Sequence, residues 1–329
     1  MNETLPIVWI EWGRAIPKYL HNNIKLHGVM FPSHSQYLIS DSKRKMLSTQ
    51  AKVEYISVDQ VPKSSYLNCF DKISQERVEI YSQKNFWIGT TRRFFLLHDF
   101  MEFSGLFEAL HIESDNIMLD LNHFCKFYPG GNWSIAYPMQ SQTLGCGSIF
   151  LVRDVGGLKK FLEFVLERWS NPAVNDMSLL GDFAEMTNLV KVLPSWPNES
   201  IAFDPGAYGK YFLGSDARNF RFPTRQRGII STDKTSLLNS MKQANLEVKR
   251  VATSLKVVIN GNASLMNLHV HSKVIPRSPQ KLEKFIRRGV SPNQGYLWRK
   301  GKLDILVIFE RFISRTTKLL GFPKDVRFR

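Results

Sequence analysis

From residue 5 to residue 275 the apolar residues of this 329-residue chain fall in short blocks that alternate with longer stretches of helical spacing. That alternation restricts the fold more than any other feature. "LPIVWIEWG" is a brief apolar run closed by Gly13, the pattern of a buried strand. "PKYLHNNIKLHGVMFP" follows with helix-like spacing and stops at a proline, then "SQYLISD" and "KVEYISVDQVP" read as strands. Strand, helix, strand, strand predicts an α/β start with parallel pairing. "FWIGTTRRFFLLHDFMEFSG" predicts a helix with Thr90 or Thr91 as N-cap and Gly105 as its stop, and "LFEALHI" is the strand after it. "GSIFLV" predicts a strand, "VGGLKKFLEFVLERW" an amphipathic helix, and "NDMSLLGDFAEM" a helix opened by Asn175 or Asp176. "NLVKVLP" is a strand, and "FDPGAYGKYFLGSD" a glycine-punctuated helix flanked by loops. "TSLKVVINGNASLMNLHVHSKVI" reads as one β-hairpin turning at Asn260-Gly261, its second arm ending in histidines. No internal repeat or low-complexity tract interrupts the series.

Charge divides the chain differently. The net charge is +15, but residues 276–329 hold 14 lysines and arginines against Glu283, Asp304, Glu310 and Asp325, a net +10 that leaves +5 for residues 1–275. We therefore expect two parts: an α/β body over 1–275 and a basic C-terminal extension over 276–329. Nucleic acid, an anionic membrane surface and an acidic partner all suit such an extension. The three cysteines lack metal-like or redox spacing, as expected of buried thiols in a reducing compartment. The N-terminal residues lack a basic segment followed by a long apolar one, so no secretory signal is expected. No apolar run reaches the roughly 20 residues of a membrane-spanning helix.

Four constellations carry candidate chemistry. "ALHIESDN" ends an apolar strand in Glu113, Ser114, Asp115 and Asn116. Ligands of open α/β sheets bind beyond the carboxyl ends of the strands, and carboxylates there can hold a hard divalent cation. An ordinary polar turn has the same composition. "NLHVHSK" places His269, His271 and Lys273 two residues apart, on one face if the segment is a strand, where a metal ion or a phosphate would account for them. A solvated strand face is the alternative. "TTRRF" puts Arg92 and Arg93 at an expected helix N-terminus, a place for an anion, or for one solvated arginine and one paired with an acid. Asp176 is either an N-cap or a group that contacts a sugar hydroxyl or serves as a base.

In this order the blocks resemble glycosyltransferases of the GT-A fold. "TTRRFFLLHDFMEFSGLFEALHIESDN" is similar to their arginine-bearing helix, central strand and short acidic motif, usually Asp-x-Asp, with Glu113-Ser114-Asp115 in the acidic place. "NLHVHSK" is similar to the late element that brings a histidine to the metal and a lysine to the diphosphate. "PIVWIEWGRAIPKYL" resembles the first strand and helix, where the nucleotide base binds, and "FDPGAYGKYFLGSD" resembles a segment that precedes the metal-binding histidine. The likeness covers roughly residues 5 to 275, and Glu113 departs from it by one methylene.

The resemblance implies a Rossmann-like, mixed and mainly parallel sheet flanked by helices. It implies a nucleotide diphosphate sugar as donor, a glycan or lipid-linked saccharide as acceptor, and Mn²⁺ or Mg²⁺ as cofactor. Asp115, His269 and His271 would hold the cation. Glu113 would reach the ribose or act through water, Lys273 the β-phosphate, Arg92 or Arg93 a phosphate or sugar hydroxyl, and Asn116 the substrate. Asp176 would be the catalytic group, as base if the anomeric configuration inverts. In the extension, "KLDILVIFERFISRTTKLLGF" puts Ile305, Ile308, Phe309, Phe312 and Leu319 on one helical stripe rimmed by basic residues. That stripe suits either an anionic membrane surface or packing on the body. A cytoplasmic enzyme, peripheral on the inner face of a membrane and serving polysaccharide synthesis, is the expectation, with no nucleic acid as partner. The alternatives are a nucleic-acid-binding or scaffolding protein acting through the basic segment, or a metal-dependent phosphohydrolase.

Overall fold

Strand β1 (Ile7–Glu11) is apolar on both sides because both sides are covered. Ile7 and Trp9 point into one core with Leu20 and Ile24 of helix α1 (Lys18–Met30), while Val8 and Ile10 point into another with Phe94 and Phe95 of α3 (Phe86–Ser104). The computed structural model describes residues 4–12, 15–41, 53–77, 86–127, 131–195, 200–213, 246–251, 254–271 and 273–290.

Seven strands form the main sheet: β1, β2 (Gln36–Ser40), β3 (Val53–Ser57), β4 (Ala109–Ile112), β6 (Ile135–Pro138), β7 (Ile149–Val152) and β8 (Val190–Leu193). Their order is β3-β2-β1-β4-β7-β6-β8. All neighbours pair in parallel except β7, which runs against both β4 and β6. The expected mixed, mainly parallel sheet flanked by helices is therefore present. Helices α2 (Ser65–Glu76), α3, α5 (Val155–Arg168) and α6 (Asp176–Met186) cover one face. Asp154 opens α5 by accepting from the N–H groups of Gly156 and Gly157, and Asn175 with Ser178 forms a capping box on α6. Neither α2 nor β6 was anticipated.

The second half of the body departs from the expected hairpin in one respect. Strands β11 (Ser254–Ile259) and β12 (Ala263–Leu265) do form a hairpin, with Asn260 and Gly261 at φ 52° and 79°. With β10 (Leu246–Val251) and β9 (Ile201–Ala202) they make a small sheet. The arm does not run on to the histidines. The chain leaves that sheet at Met266, and β13 (Asn267–His269) pairs antiparallel with β5 (Asn116–Met118). Strand geometry ends at His269, and Lys273 has φ 54°. The three side chains of "HVHSK" therefore do not share a strand face; a turn gathers them instead.

Helix α3 is the other correction. It already includes Phe86, so Arg92 and Arg93 lie in its second turn, where the backbone N–H groups are used, and not at an anion-binding end. Short helices α4 (Leu121–Phe127) and α7 (Tyr208–Leu213) follow β5 and β9. The expected division after residue 275 falls between buried Ile275 and helix α8 (Pro279–Val290), whose Leu282 and Ile286 are buried in the same core. The stripe between Lys302 and Leu319 lies outside the described residues.

Candidate active site

The acidic quartet sits where the parallel strands deliver it. Glu113, Ser114 and Asp115 turn the chain from β4 into β5, and the Asn116 N–H donates to the Glu113 carbonyl at 2.9 Å. In the β5–β13 ladder His269 lies opposite Asn116, and the Val270 N–H donates to the Asp115 carbonyl at 2.7 Å. Backbone pairing thus fixes the histidine segment against the acidic turn, across some 150 residues of chain.

The side chains then meet. His269 Nε2 stands 3.2 Å from Asp115 Oδ1 and 3.4 Å from Glu113 Oε2. The His271 ring stacks on His269 with centroids 4.1 Å apart. Asp115, His269 and His271 each offer one ligand atom, and these atoms lie within 4.8 Å of one another. The chemistry suits a divalent transition ion: one carboxylate oxygen and two imidazole nitrogens favour Mn²⁺ over the all-oxygen preference of Mg²⁺. Among the described residues, buried His269 Nδ1 has no hydrogen-bond partner within bonding geometry, and the Cys146 thiol is a polar neighbour of that ring.

Electrostatics agree with that placement. Burial alone would push the His269 imidazole down, but the Asp115 and Glu113 carboxylates hold it well above its ordinary value. Burial likewise opposes ionisation of Asp115, and His269, Lys273 and His271 overcome it, keeping that carboxylate well below its usual range. Without a cation, a proton on His269 balances the two carboxylates.

Adjacent to this group lies a second one built on Arg93. Its Nη1 donates to Glu113 Oε1, and its Nη2 donates to Asp176 Oδ2 at 3.1 Å. Asp176 is the first residue of α6, not its cap, and is only 4% exposed. Burial is the main influence on its carboxyl and lifts it to about 6 even with Arg93 beside it. Burial also opposes ionisation of Glu113, but Arg93 and then His269 bring its carboxyl below the ordinary value. Arg93 can lie flat here because of Gly147: a Cβ at that position would sit 2.7 Å from Phe94 Cζ and 2.9 Å from Arg93 Nη2. Gly145, two residues earlier, packs instead against Leu180 and Tyr137, and Cys146 between the two glycines lines the cleft.

All of these groups open onto one cleft of about 540 Å³ at the carboxyl ends of β1 and β4. Glu113, Asp115, Asp176, Arg93, His269, His271 and Lys273 line it. Two expected substrate contacts do not. Arg92 points away, clamped by Asp71 through its Nε (2.6 Å) and Nη2 (2.8 Å), with its guanidinium 4.7 Å over the Trp12 ring. Asn116 is buried in the ladder, its Oδ1 accepting from Asn267 Nδ2 at 3.0 Å.

The structure also adds residues that sequence reading missed. Glu11 closes β1 and faces Ser114 and Lys273; burial raises its carboxyl to about 7. Tyr19 lies under the Lys273 ammonium, 5.1 Å from ring centre to Nζ. His111 donates its Nδ1–H to the Val8 carbonyl, 3.0 Å away, and burial first, then Arg93, lowers its imidazole to about 3, so it is neutral. The available signals were the strand-end position of Glu11 and the place of His111 two residues before Glu113, on the same side of the chain.

No family model matches the chain, and no curated protein does. Among solved structures it is similar to mouse xyloside xylosyltransferase 1 in its apo form, at 10% identity and a TM-score of 0.40, over 58% of this chain and 86% of that one. It is also similar to the galactosyltransferase LgtC in complex with donor and acceptor sugar analogs, at 10% identity and a TM-score of 0.42, over 69% and 84% of the two chains. A third is a glycosyltransferase involved in glycosylation of the major capsid of PBCV-1, at 10% identity and a TM-score of 0.33, over 58% and 81%. All three are named as transferases of sugars; likeness at this level assigns neither activity nor substrate to this chain.

Proposed function

We propose that the chain transfers a sugar from a nucleotide diphosphate sugar to a glycan or lipid-linked acceptor, with Mn²⁺ as the best-fitting cation. The observation that carries this reading is the meeting of Asp115, His269 and His271 beside the Glu113–Arg93–Asp176 group in one cleft. A cation held by those three ligands would neutralise charge building on a departing diphosphate.

The chain's own residues supply the rest. Lys273, flanked by Tyr19 and Glu11, gives a point charge for the diphosphate at the β1 end of the cleft. Trp12 and Tyr19 line that end and suit the nucleotide base. Arg93, fixed by two carboxylates, presents a rigid guanidinium to the sugar region. Asp176, with a carboxyl lifted to about 6, is half-ready to take a proton near neutral pH and is the candidate base toward an acceptor hydroxyl.

A phosphohydrolase of the two-metal kind needs a second ion about 4 Å from the first, and among the described residues one ligand cluster is found. A basic binding protein would rest on residues 276–329, most of which lie outside the described residues. No described helix is long and apolar enough to cross a membrane; contact with an anionic inner membrane face through residues 302–319 belongs to the proposal.

The test is to incubate the protein with a panel of nucleotide sugars, with and without Mn²⁺, and to measure nucleoside diphosphate release. Metal-dependent release that vanishes in Asp115→Ala is expected. Donor-independent behaviour, together with RNA binding of steep salt dependence, would replace this reading with the basic-binder one.

A further inference from the structure

We infer that Asp204 is the positioning residue of the cation site, holding both histidines through one carboxylate; the inference rests on the metal reading above. Asp204 is fully buried and touches no proposed substrate group. Its Oδ1 accepts from the N–H groups of Gly206 (2.9 Å), Ala207 (2.7 Å) and Tyr208 (2.9 Å). Its Oδ2 accepts from Gly209 (2.7 Å) and from the backbone N–H of His269 (2.8 Å). Two of those donors begin α7 and two lie in the turn just before it, and a capping role needs no more than these four. The fifth belongs to β13 and to a proposed ligand.

The same turn reaches the second histidine. Gly206, at φ 97°, places its carbonyl 3.2 Å from His271 Nε2. A hydrogen bond to that carbonyl puts the proton on Nε2 and leaves Nδ1 as the lone pair. A Cβ on Gly206 would stand 3.0 Å from His271 Nε2, so the turn lies against the ring. Asn267 closes the arrangement: its Oδ1 accepts from the Asp204 N–H at 2.9 Å, and its Nδ2 donates to the Asp204 carbonyl at 3.0 Å. One carboxylate therefore sets the distance between the Asp204–Gly209 turn and β13, and with it the positions of His269 and His271 relative to Asp115.

A serine distinguishes positioning from capping. Asp204→Ser keeps a side-chain oxygen able to cap α7 but gives up the second oxygen, which holds His269. Asp204→Asn replaces one acceptor by a donor facing N–H groups. Mn²⁺ binding is followed by the electron paramagnetic resonance signal of the free ion, alone and with each common nucleoside diphosphate. Circular dichroism and Tm report folding. Both variants should bind Mn²⁺ about 10- to 100-fold more weakly, with Asp204→Ser keeping the far-ultraviolet spectrum of the parent. A folded Asp204→Ser that binds Mn²⁺ as tightly as the parent would reduce Asp204 to a helix cap and overturn the inference. A parent protein that binds no Mn²⁺ under any condition removes the metal reading and this inference with it. Should both variants fail to fold, the unaltered protein still decides: Mn²⁺ must raise exchange protection at the Gly209 and His269 amides together, and unchanged protection refutes the coupling.

Discussion

Asp176→Asn should make the protein more stable and less active at once. The wild-type carboxyl is lifted from an ordinary 3.8 to about 6, chiefly by burial. Folding therefore favours its protonated form. For a group whose folded value lies above its unfolded one, the stability contribution is complete below the unfolded value and is lost as pH rises through the folded one. A difference of roughly 2 pH units corresponds to about 3 kcal/mol at pH 7.5, at 1.36 kcal/mol per unit. Asparagine resembles the protonated acid and keeps an oxygen for Arg93 Nη2, which also retains Glu113. Urea unfolding should thus show the variant more stable by up to about 3 kcal/mol at pH 7.5, with the gain shrinking to near zero by about pH 3. Metal-dependent release of nucleoside diphosphate to an acceptor should fall by two orders of magnitude or more, on the order expected for a lost general base. A variant that is less stable at pH 7.5, or whose stability difference does not change with pH, refutes the assignment of a buried, strained carboxylate.

Three other outcomes follow from the same coordinates. A cation must displace the proton that Asp115 and Glu113 hold on His269, so apparent Mn²⁺ affinity should rise with pH across the neutral range, by about tenfold per pH unit at most; isothermal titration in buffers of different ionisation enthalpy reads the released proton. Gly147→Ala puts a methyl against Phe94 and Arg93 Nη2, and should cost roughly 1–3 kcal/mol by thermal unfolding while weakening donor binding. Tyr137→Phe deletes the buried hydrogen bond from its hydroxyl to the Leu180 carbonyl (2.7 Å) and should cost about 1–2 kcal/mol without changing Mn²⁺ affinity.

What the sequence made legible was mostly carried by strong periodic blocks. β1, α1, β4, α5, α6 and β8 could be read because each buries a face that its own spacing announces. The meeting of Asp115 with the two histidines was also readable, from the order of the motifs. The route by which they meet was not, because it depends on β13 leaving the β11–β12 sheet for β5, a choice made by long-range pairing. Helix α2 was hidden because its buried positions include Ser74 along with Leu67 and Phe70, leaving a thin apolar stripe. Arg92 and Arg93 show the limit of reading by composition. They are neighbours in the chain but about 100° apart around a helix, so one meets Asp71 on α2 and the other enters the cleft between Glu113 and Asp176. The stretch that holds Asp204 stood out by its likeness to a segment before the histidine, but Asp204 itself did not, since its role depends on a backbone N–H from a segment 65 residues away.

The seam between β5 and β13 is three residue pairs long, and the proposed ligands come from both sides of it, Asp115 from one and His269 and His271 from the other. An ion bound there would do more than assist the proposed chemistry: it would rivet two distant portions of the polypeptide. Its binding energy is subtracted from the population in which that short ladder is open, so metal withdrawal should loosen the histidine segment first, ahead of the large sheet.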